Sequence, residues 1–158
     1  MPDASSPAAT DLKKRLRADL TTAMKARDEL RTATLRMVLA AVSAEEVSGK
    51  EARELSDAEV QAVVRREAKK RREAAEAFAG AGRAQQAERE RAEEGVLAGY
   101  LPAQLDDADL AALVADVVTT TGAAGMKDMG RVMGAATAAV AGRAEGARVA
   151  AEVRRQLA

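Results

Sequence analysis

Apolar residues recur at every third or fourth position along most of this chain of 158 residues. That spacing places them on one face of an α-helix, whereas a half-buried strand would alternate apolar and polar residues. No segment of the sequence shows such an alternation. The pattern therefore predicts an all-α protein, in which seven amphipathic helices pack through their apolar faces.

Four helices are predicted in the first two thirds of the chain. The second of them, about residues 29–48, is apolar nearly all round and is expected to be the most buried. The third opens at Ser56, where Glu59 three residues later gives the spacing of a capping box. The fourth, about residues 83–98, is highly charged and turns apolar only at its end. The first covers about residues 10–27, and its apolar face consists of Leu12, Leu16, Leu20 and Met24.

A proline interrupts the helical pattern after Leu101. Pro102 has no amide hydrogen and biases Leu101 away from helical angles, so the chain is expected to break there. Shorter helices follow at about residues 107–121, at about residues 127–138 and from Gly146 onward. The expected organisation is a disordered tip (1–9), an N-terminal domain of about four helices (10–101) and a small three-helix C-terminal domain (102–158).

Composition narrows the chemistry that the chain can perform. Aromatic residues are only 1% of the sequence, so the core must consist of Ala, Leu, Val and Met in closely packed helices. There is no Cys and no His, which excludes a thiol or imidazole nucleophile, a His-centred triad and the usual zinc sites. Charged residues are 32% with a net charge of zero, so any nucleic-acid contact must come from a local patch. We therefore expect neither a cofactor nor a metal.

The sequence shows no sign of a membrane protein. The first nine residues lack a basic cluster ahead of an apolar run, so they do not resemble a signal peptide. The longest stretch of small apolar residues, 135–141, is too short to cross a bilayer. Because the lack of Cys also fits a reducing compartment, a cytoplasmic location is expected.

The strongest charge feature is a run of six cations and one acid at residues 65–72 of the third predicted helix. One interpretation is a stripe that contacts phosphates, in which case binding would weaken as salt rises. The other is a solvated helix face that nearby acids such as Glu73 and Glu76 neutralise. The cations predicted to face solvent are Arg65, Lys69 and Arg72.

Other charged residues on these helices have structural interpretations. Glu67 and Arg71 stand one helical turn apart and both project toward the apolar side, which favours a partly buried ion pair over a catalytic carboxylate. Arg31 and Arg36 flank the apolar second helix, where either residue would tie helices together or help to bind an anion.

No catalytic residue can be assigned from the sequence. Asp106, Asp107 and Asp109 stand where the fifth helix begins, so we interpret them as capping residues rather than as a cation site. Ser43 and Ser56 have no His to activate them. The sequence also has neither a glycine-rich phosphate loop nor the spacing of metal ligands.

The most informative stretch is Met126–Gly134, whose apolar residues, Met133 among them, share one helical face. Gly130 and Gly134 stand one turn apart in it, which predicts that another backbone comes close. Farther along, the turn Gly142–Gly146 leads into the last helix. The amides of that helix could accept a phosphate beside Arg143, or the glycines, Gly142 first, could simply form a tight turn.

The order of these motifs resembles the YqeY family. It is also similar to the C-terminal tail of the B subunit of the glutamyl/aspartyl-tRNA amidotransferase, in the GatB/YqeY group of domains. The shared pattern is Gly-Arg-Val-Met-Gly, a variable turn, Gly-Arg-Ala-acid-Gly and a final helix. The family usually has Lys at the position of Ala141 and Asp at that of Glu145, so one cation and one good helix cap are absent here. Other blocks in family order are residues 31–37, 55–60, 65–71 and 78–83 and the segment Tyr100-Leu101-Pro102-Ala103-Gln104-Leu105.

The resemblance implies a two-domain helical protein that associates with tRNA. The amidotransferase tail contacts the outer elbow of tRNA, and in this chain that role would fall to Lys127, Arg131 and Arg143. Because the catalytic parts of an amidotransferase are absent, the expected function is auxiliary and non-catalytic. If the protein were classified as a carbon-nitrogen ligase with glutamine as amido-N-donor, that classification would derive from its resemblance to the amidotransferase family. The alternative is a protein-binding adaptor in translation that uses the fourth helix and the Tyr100-Leu101-Pro102 junction.

Overall fold

The computed structural model describes residues 8–158, with their side chains from Asp11 onward. All regular structure in this range is helical, which confirms the predicted all-α class. Residues 1–7 of the predicted disordered tip lie outside the described residues, and α1 begins two residues before its predicted start. The helices are α1 (Ala8–Lys25), α2 (Glu29–Glu46), α3 (Asp57–Gly80), α4 (Ala84–Ala98), α5 (Asp107–Thr121), α6 (Met129–Val140) and α7 (Gly146–Leu157), with a 3-10 turn at Met126–Asp128 before α6.

The start of α3 has the capping box that its sequence predicts. The Ser56 hydroxyl accepts a hydrogen bond from the Glu59 amide at 3.2 Å, and the Glu59 carboxylate accepts one from the Ser56 amide at 2.8 Å. Arg53 also forms a bidentate ion pair with Glu59, at 2.9 Å and 2.8 Å. The Arg53 guanidinium, and then the Ser56 amide, lower the pKa of Glu59 to about 2. The carboxylate is therefore charged throughout the neutral range and holds the first turn of α3.

The chain divides into two compact units, with the boundary between Leu101 and Pro102. In the first unit, α1, α2, α3 and the end of α4 share one core. One face of α2 is buried through Leu35, Val38 and Val42, but Ala33 and Ala40 are exposed, so the prediction that this helix is enclosed nearly all round is wrong. The prediction for Met24 is wrong: this residue is 45% exposed, and Ala23 points into the core instead. The fully buried large side chains of this unit include Leu16, Leu35, Val38, Val42, Leu55, Val60, Val64 and Leu97.

The second unit packs α5, α6 and α7 around its own core. Asp106 caps α5 through the Asp109 amide at 2.7 Å, which confirms the capping interpretation. The segment before α5 is fastened to the turn between α6 and α7, because the Leu105 amide donates to the Arg143 carbonyl at 2.7 Å. Arg148 of α7 donates to the Leu105 carbonyl and pairs with Asp107 at 2.9 Å. The most enclosed core residues are Val114, Val132, Ala136, Val149 and Val153.

The glycine pair of α6 does not have the predicted role. Gly130 and Gly134 are both exposed, and a Cβ atom added at either position would meet no atom within 4 Å. The residues that contact the core are instead Val132 and Ala136, while Met133 is half-buried. The prediction of a close backbone approach at the glycines is therefore wrong, because the helix packs through the face beside them.

Substitutions at two glycines should have opposite effects on stability. Gly134→Ala should stabilise the second unit by about 0.5–1 kcal/mol, since Ala restricts the unfolded chain and its methyl group has open space in mid-helix. Gly122→Ala should destabilise it by about 1 kcal/mol, because Gly122 ends α5 at a φ of 67°, which L residues rarely adopt. Urea unfolding of both variants measures these changes. A destabilised Gly134→Ala would restore the close-approach interpretation.

Each unit is expected to fold independently. Between Leu101 and Leu105 the chain is helix-free, and Ala103 and Gln104 are exposed, so limited proteolysis with a non-specific protease should cut there. The released C-terminal fragment should be helical by circular dichroism, because its core is complete within residues 105–157. Mass spectrometry locates the cut. An unfolded fragment, or cleavage confined to other segments, would contradict the two-domain organisation.

Candidate nucleic-acid interface

The predicted solvent stripe of α3 is only partly open. Lys69 is exposed, with its ammonium 3.9 Å from Glu73, and Arg72 is exposed but lies 2.9 Å from Glu94 of α4. Arg65 is half-buried, and its Nε atom is enclosed without a hydrogen-bond partner. The prediction that all three side chains face solvent is therefore wrong for Arg65.

The predicted ion pair between Glu67 and Arg71 does not form. The Glu67 carboxylate is buried and accepts a hydrogen bond from Lys70 at 2.9 Å. Arg71 turns toward α4, where its guanidinium lies 3.5 Å from Glu90 and 3.6 Å from Glu93. The reason is tertiary: α4 packs along α3 and offers two carboxylates that the sequence pattern of α3 cannot reveal.

Most cations of the α3 run have a carboxylate partner within the first unit. Besides the pairs already described, Arg66 lies 3.4 Å from Glu45 of α2. Only Arg65 among the six has no ion pair in the described part of the chain. Beyond the main core of the first unit, the buried residues of the α3–α4 hairpin are the small residues Ala75 and Ala87. Three cations of α3 thus pair with neighbouring helices and two with carboxylates of α3 itself, which favours the structural interpretation of this run.

Arg143 in the second unit also has a structural role. Its Nε and a terminal nitrogen donate to the carbonyls of Val140 and Ala139, each at 3.0 Å. These carbonyls end α6 and have no helical partner of their own. The residue after α6, Ala141, has a φ of 50°, and Gly142 follows with a φ of 80°. The Arg143 side chain thus caps the C-terminus of α6, where Ala141 and Gly142 turn the chain in the left-handed region.

The other two predicted tRNA contacts of the second unit differ from each other. Arg131 pairs with Asp128 at 2.9 Å and donates to the Thr121 carbonyl, so it links α6 to the end of α5. Its side chain is still 54% exposed. Lys127 is exposed in the 3-10 turn and has no carboxylate within ion-pair distance in the described part of the chain. Of the three, Lys127 is the cation most available to an anion.

The start of α7 confirms one effect of the sequence's departures from the family. Glu145 occupies the N-cap position, and its side chain makes no capping hydrogen bond to the helix. Asp is a much better N-cap than Glu because its shorter side chain reaches the first free amides. The expected loss of a good cap at this position is therefore confirmed.

Tyr100 closes the core of the first unit instead of offering a surface. It is 5% exposed, and its hydroxyl donates to the Asp19 carboxylate. The Arg15 guanidinium stacks over the ring, 4.7 Å from its centre. Burial first, and then the hydrogen bond to Asp19, raises the pKa of Tyr100 to about 12. A protein partner at the Tyr100-Leu101-Pro102 junction could contact the half-buried Leu101 and Pro102 but not the tyrosine.

A small cavity lies beside Asp19, which accepts the hydrogen bond from Tyr100. Its volume is about 120 Å³, which is well below the volume of a site for a nucleotide-sized ligand. No group of three acids is arranged to hold a metal ion among the residues described. None of the helices described is long and apolar enough to span a membrane. The residues that line the cavity are Asp19, Thr22, Ala23, Ala26, Asp28 and Arg31.

Sequence reasoning missed the strongest local excess of positive charge. Residues 13–36 contain eight cations and only three acids, an excess larger than that of the α3 run with its surrounding glutamates. Four of these cations, Lys13, Lys14, Arg15 and Arg17, lie within five residues of α1, and the other four are spread from Lys25 to Arg36. A charge count over the whole α1–α2 hairpin would have found them.

Comparison with known proteins is consistent with the motifs quoted above. A search of curated proteins finds no match to the chain. A family model described as Yqey-like protein matches residues 13–157, which is nearly the whole sequence and includes both compact units. The chain therefore belongs to the YqeY family.

Proposed function

We propose that the protein associates with tRNA as a stand-alone, non-catalytic member of its family. The observation that carries the proposal is the uneven distribution of charge along the sequence of the second unit. Residues 106–116 hold four Asp and no cation, whereas residues 126–158 hold six cations and three acids. A surface whose cations outnumber its carboxylates attracts a phosphate backbone even when the net charge of the whole chain is zero.

Four of these six cations are open to solvent. Lys127 and Arg154 are exposed and have no ion-pair partner among the described residues. Arg131 and Arg155 are paired with Asp128 and Glu152, but their side chains are 54% and 66% exposed. Surface ion pairs contribute only about 0–1 kcal/mol, so a phosphate can compete for either guanidinium. The second unit can therefore offer several contacts to one polyanion.

The resemblance of this unit to the amidotransferase tail supports tRNA as the polyanion. The proposal contains no chemical step, because the described Ser and Thr hydroxyl groups are not activated. The side-chain hydrogen bonds that Ser and Thr hydroxyls donate there all go to backbone carbonyls, as Thr34 donates to Leu30 and Ser48 to Glu45. A nucleophilic hydroxyl would instead donate to a general base.

Binding to bulk tRNA should be measurable and should weaken with salt. At about 50 mM salt we expect a dissociation constant near the micromolar range, typical of mostly electrostatic binding, and a steep loss of affinity by about 200 mM. The double variant Lys127→Glu/Arg154→Glu should bind more weakly. The matched control is Lys50→Glu/Arg83→Glu, which makes the same charge change at exposed, unpaired cations of the first unit. Fluorescence anisotropy with labelled tRNA gives both constants.

Two results would overturn this proposal. One is a wild-type protein that does not bind tRNA even at low salt. The other is binding that hardly depends on salt, which is typical of an apolar protein contact. A partner protein that is recovered from lysate after ribonuclease treatment, together with either result, would favour the adaptor function.

Arg143 should affect stability rather than binding directly. Arg143→Ala should destabilise the second unit by about 1 kcal/mol, since the Ala139 carbonyl loses its side-chain donor and the Val140 carbonyl keeps only the Arg143 amide, which donates at 3.0 Å. Lys127→Ala should change stability by less than about 0.5 kcal/mol, because that side chain is exposed and unpaired. Urea unfolding of the full chain tests both. Equal stability of the two variants would show that the Arg143 cap is unimportant.

A further inference from the structure

We propose that the outward face of α1 is a second RNA-binding surface, which contacts phosphates through Lys14, Arg17 and Lys25. We call these three residues the α1 stripe. The inference rests on the proposed RNA association and adds to it a surface in the other unit. No motif of the sequence indicates this surface.

The α1 stripe follows from the helical geometry. At about 100° per residue, Lys14, Arg17 and Lys25 fall within an arc of about 80°. The opposite side of the helix carries Leu16 and Ala23, which are 0% and 3% exposed. All three cations are exposed. At about 1.5 Å of rise per residue, the stripe spans about 16 Å along the helix axis, enough to contact several phosphates of one strand.

The stripe is not neutralised by carboxylates of the chain. None of its three cations lies within ion-pair distance of an acid in the described part of the structure. Two acids near it are engaged by other groups: Asp19 accepts from Tyr100, and Asp28 caps α2 through the Arg31 amide at 3.1 Å. Asp11, one turn before Lys14, is the exposed acid nearest to the stripe along α1. A phosphate that binds the stripe therefore has no internal ion pair to displace.

Two further cations extend the surface beyond the end of α1. Arg27 follows α1 and Arg36 projects from α2, and both are exposed. A terminal nitrogen of Arg36 lies 3.4 Å from the sulfur of Met24, which places its guanidinium beside the last turn of α1. Like the stripe, these two residues have no carboxylate partner among the described residues. The unpaired positive surface thus continues from α1 onto α2.

The contrast with α3 shows why α1 is the better candidate. Five of the six cations in the α3 run are held by carboxylates, as in the contacts of Arg66 with Glu45 and of Arg72 with Glu94. A phosphate there would have to displace these ion pairs, at a cost of about 0–1 kcal/mol for each exposed pair. At the α1 stripe there is no such pair to displace, and the release of loosely bound counterions drives binding at low salt.

The residues between the cations favour RNA over a lipid surface. Ala18, Thr21 and Thr22 share the outward side of α1 and are exposed. A helix that binds a membrane surface needs several large apolar side chains next to its cations, whereas on α1 Leu12, Leu16 and Leu20 are turned into the core and only Met24 is exposed among the described residues. The face therefore offers charge and hydroxyl groups, which match a sugar-phosphate backbone.

The test is the triple variant Lys14→Glu/Arg17→Glu/Lys25→Glu in the full-length protein. Affinity for bulk tRNA at about 100 mM salt should fall by at least about tenfold, and the dependence of log Kd on log salt should become shallower by about one for each phosphate that is no longer bound. The control Lys50→Glu/Arg83→Glu/Arg91→Glu has the same change in charge at exposed, unpaired positions outside the α1 stripe, and should change affinity by less than about threefold. Circular dichroism and thermal unfolding check that the triple Glu variant is folded. If it is unfolded, the neutral variant Lys14→Gln/Arg17→Gln/Lys25→Gln is tested in its place.

The possible outcomes separate this inference from the proposed function. If the stripe variant binds tRNA like wild type while Lys127→Glu/Arg154→Glu does not, the inference is wrong and the proposed function stands. Equal losses in the stripe variant and its control would mean a general charge effect, which also overturns the inference. If wild type does not bind tRNA at low salt, both fail. Binding of wild type to phosphatidylserine vesicles in place of tRNA, abolished in the stripe variant, would assign the surface to a membrane.

Discussion

The buried contact between Lys13 and Glu46 organises the first unit. The Lys13 ammonium lies 2.6 Å and 2.8 Å from the two carboxylate oxygens, and Glu46 also accepts a hydrogen bond from the Leu55 amide at 3.2 Å. One carboxylate thus joins α1, the end of α2 and the segment that leads into α3. Because a charge this enclosed must be paired, loss of either partner would leave the other uncompensated. The pair also fixes the rotation of α1, and the neighbouring Lys14 and Arg17 must then face solvent.

The scarcity of aromatic residues makes the rest of the first unit depend on small side chains and charge. Where α3 and α4 run together beyond the main core, Ala75 and Ala87 are the buried residues, and they enclose little apolar area. The glutamates of α4 and the cations of α3 supply the remaining attraction, with Arg71 reaching both Glu90 and Glu93. A cation run that resembles a nucleic-acid patch in the sequence therefore contributes to folding. Charge that has this role is less available for binding.

The sequence predicts the helices well because helix formation is a local property. The capping box of Ser56 and Glu59 and the cap at Asp106 both follow from residues within a few positions of one another. Predictions that required knowledge of a neighbouring element were less accurate. Gly134 is the clearest case, since its spacing in the sequence suggests a close approach but α6 meets its partners through another face.

The candidate site depends on which cations remain unpaired, and that property is not local. Arg143 is drawn to the carbonyls at the end of α6, whereas nothing within the described residues neutralises Lys25. Both are single basic residues near helix ends, so their sequence context does not separate them. The structure separates them through the groups that each can reach. It follows that, in a protein whose total charge is balanced, an anion-binding surface should be sought where the carboxylates are already occupied by other donors, and α1 is such a place.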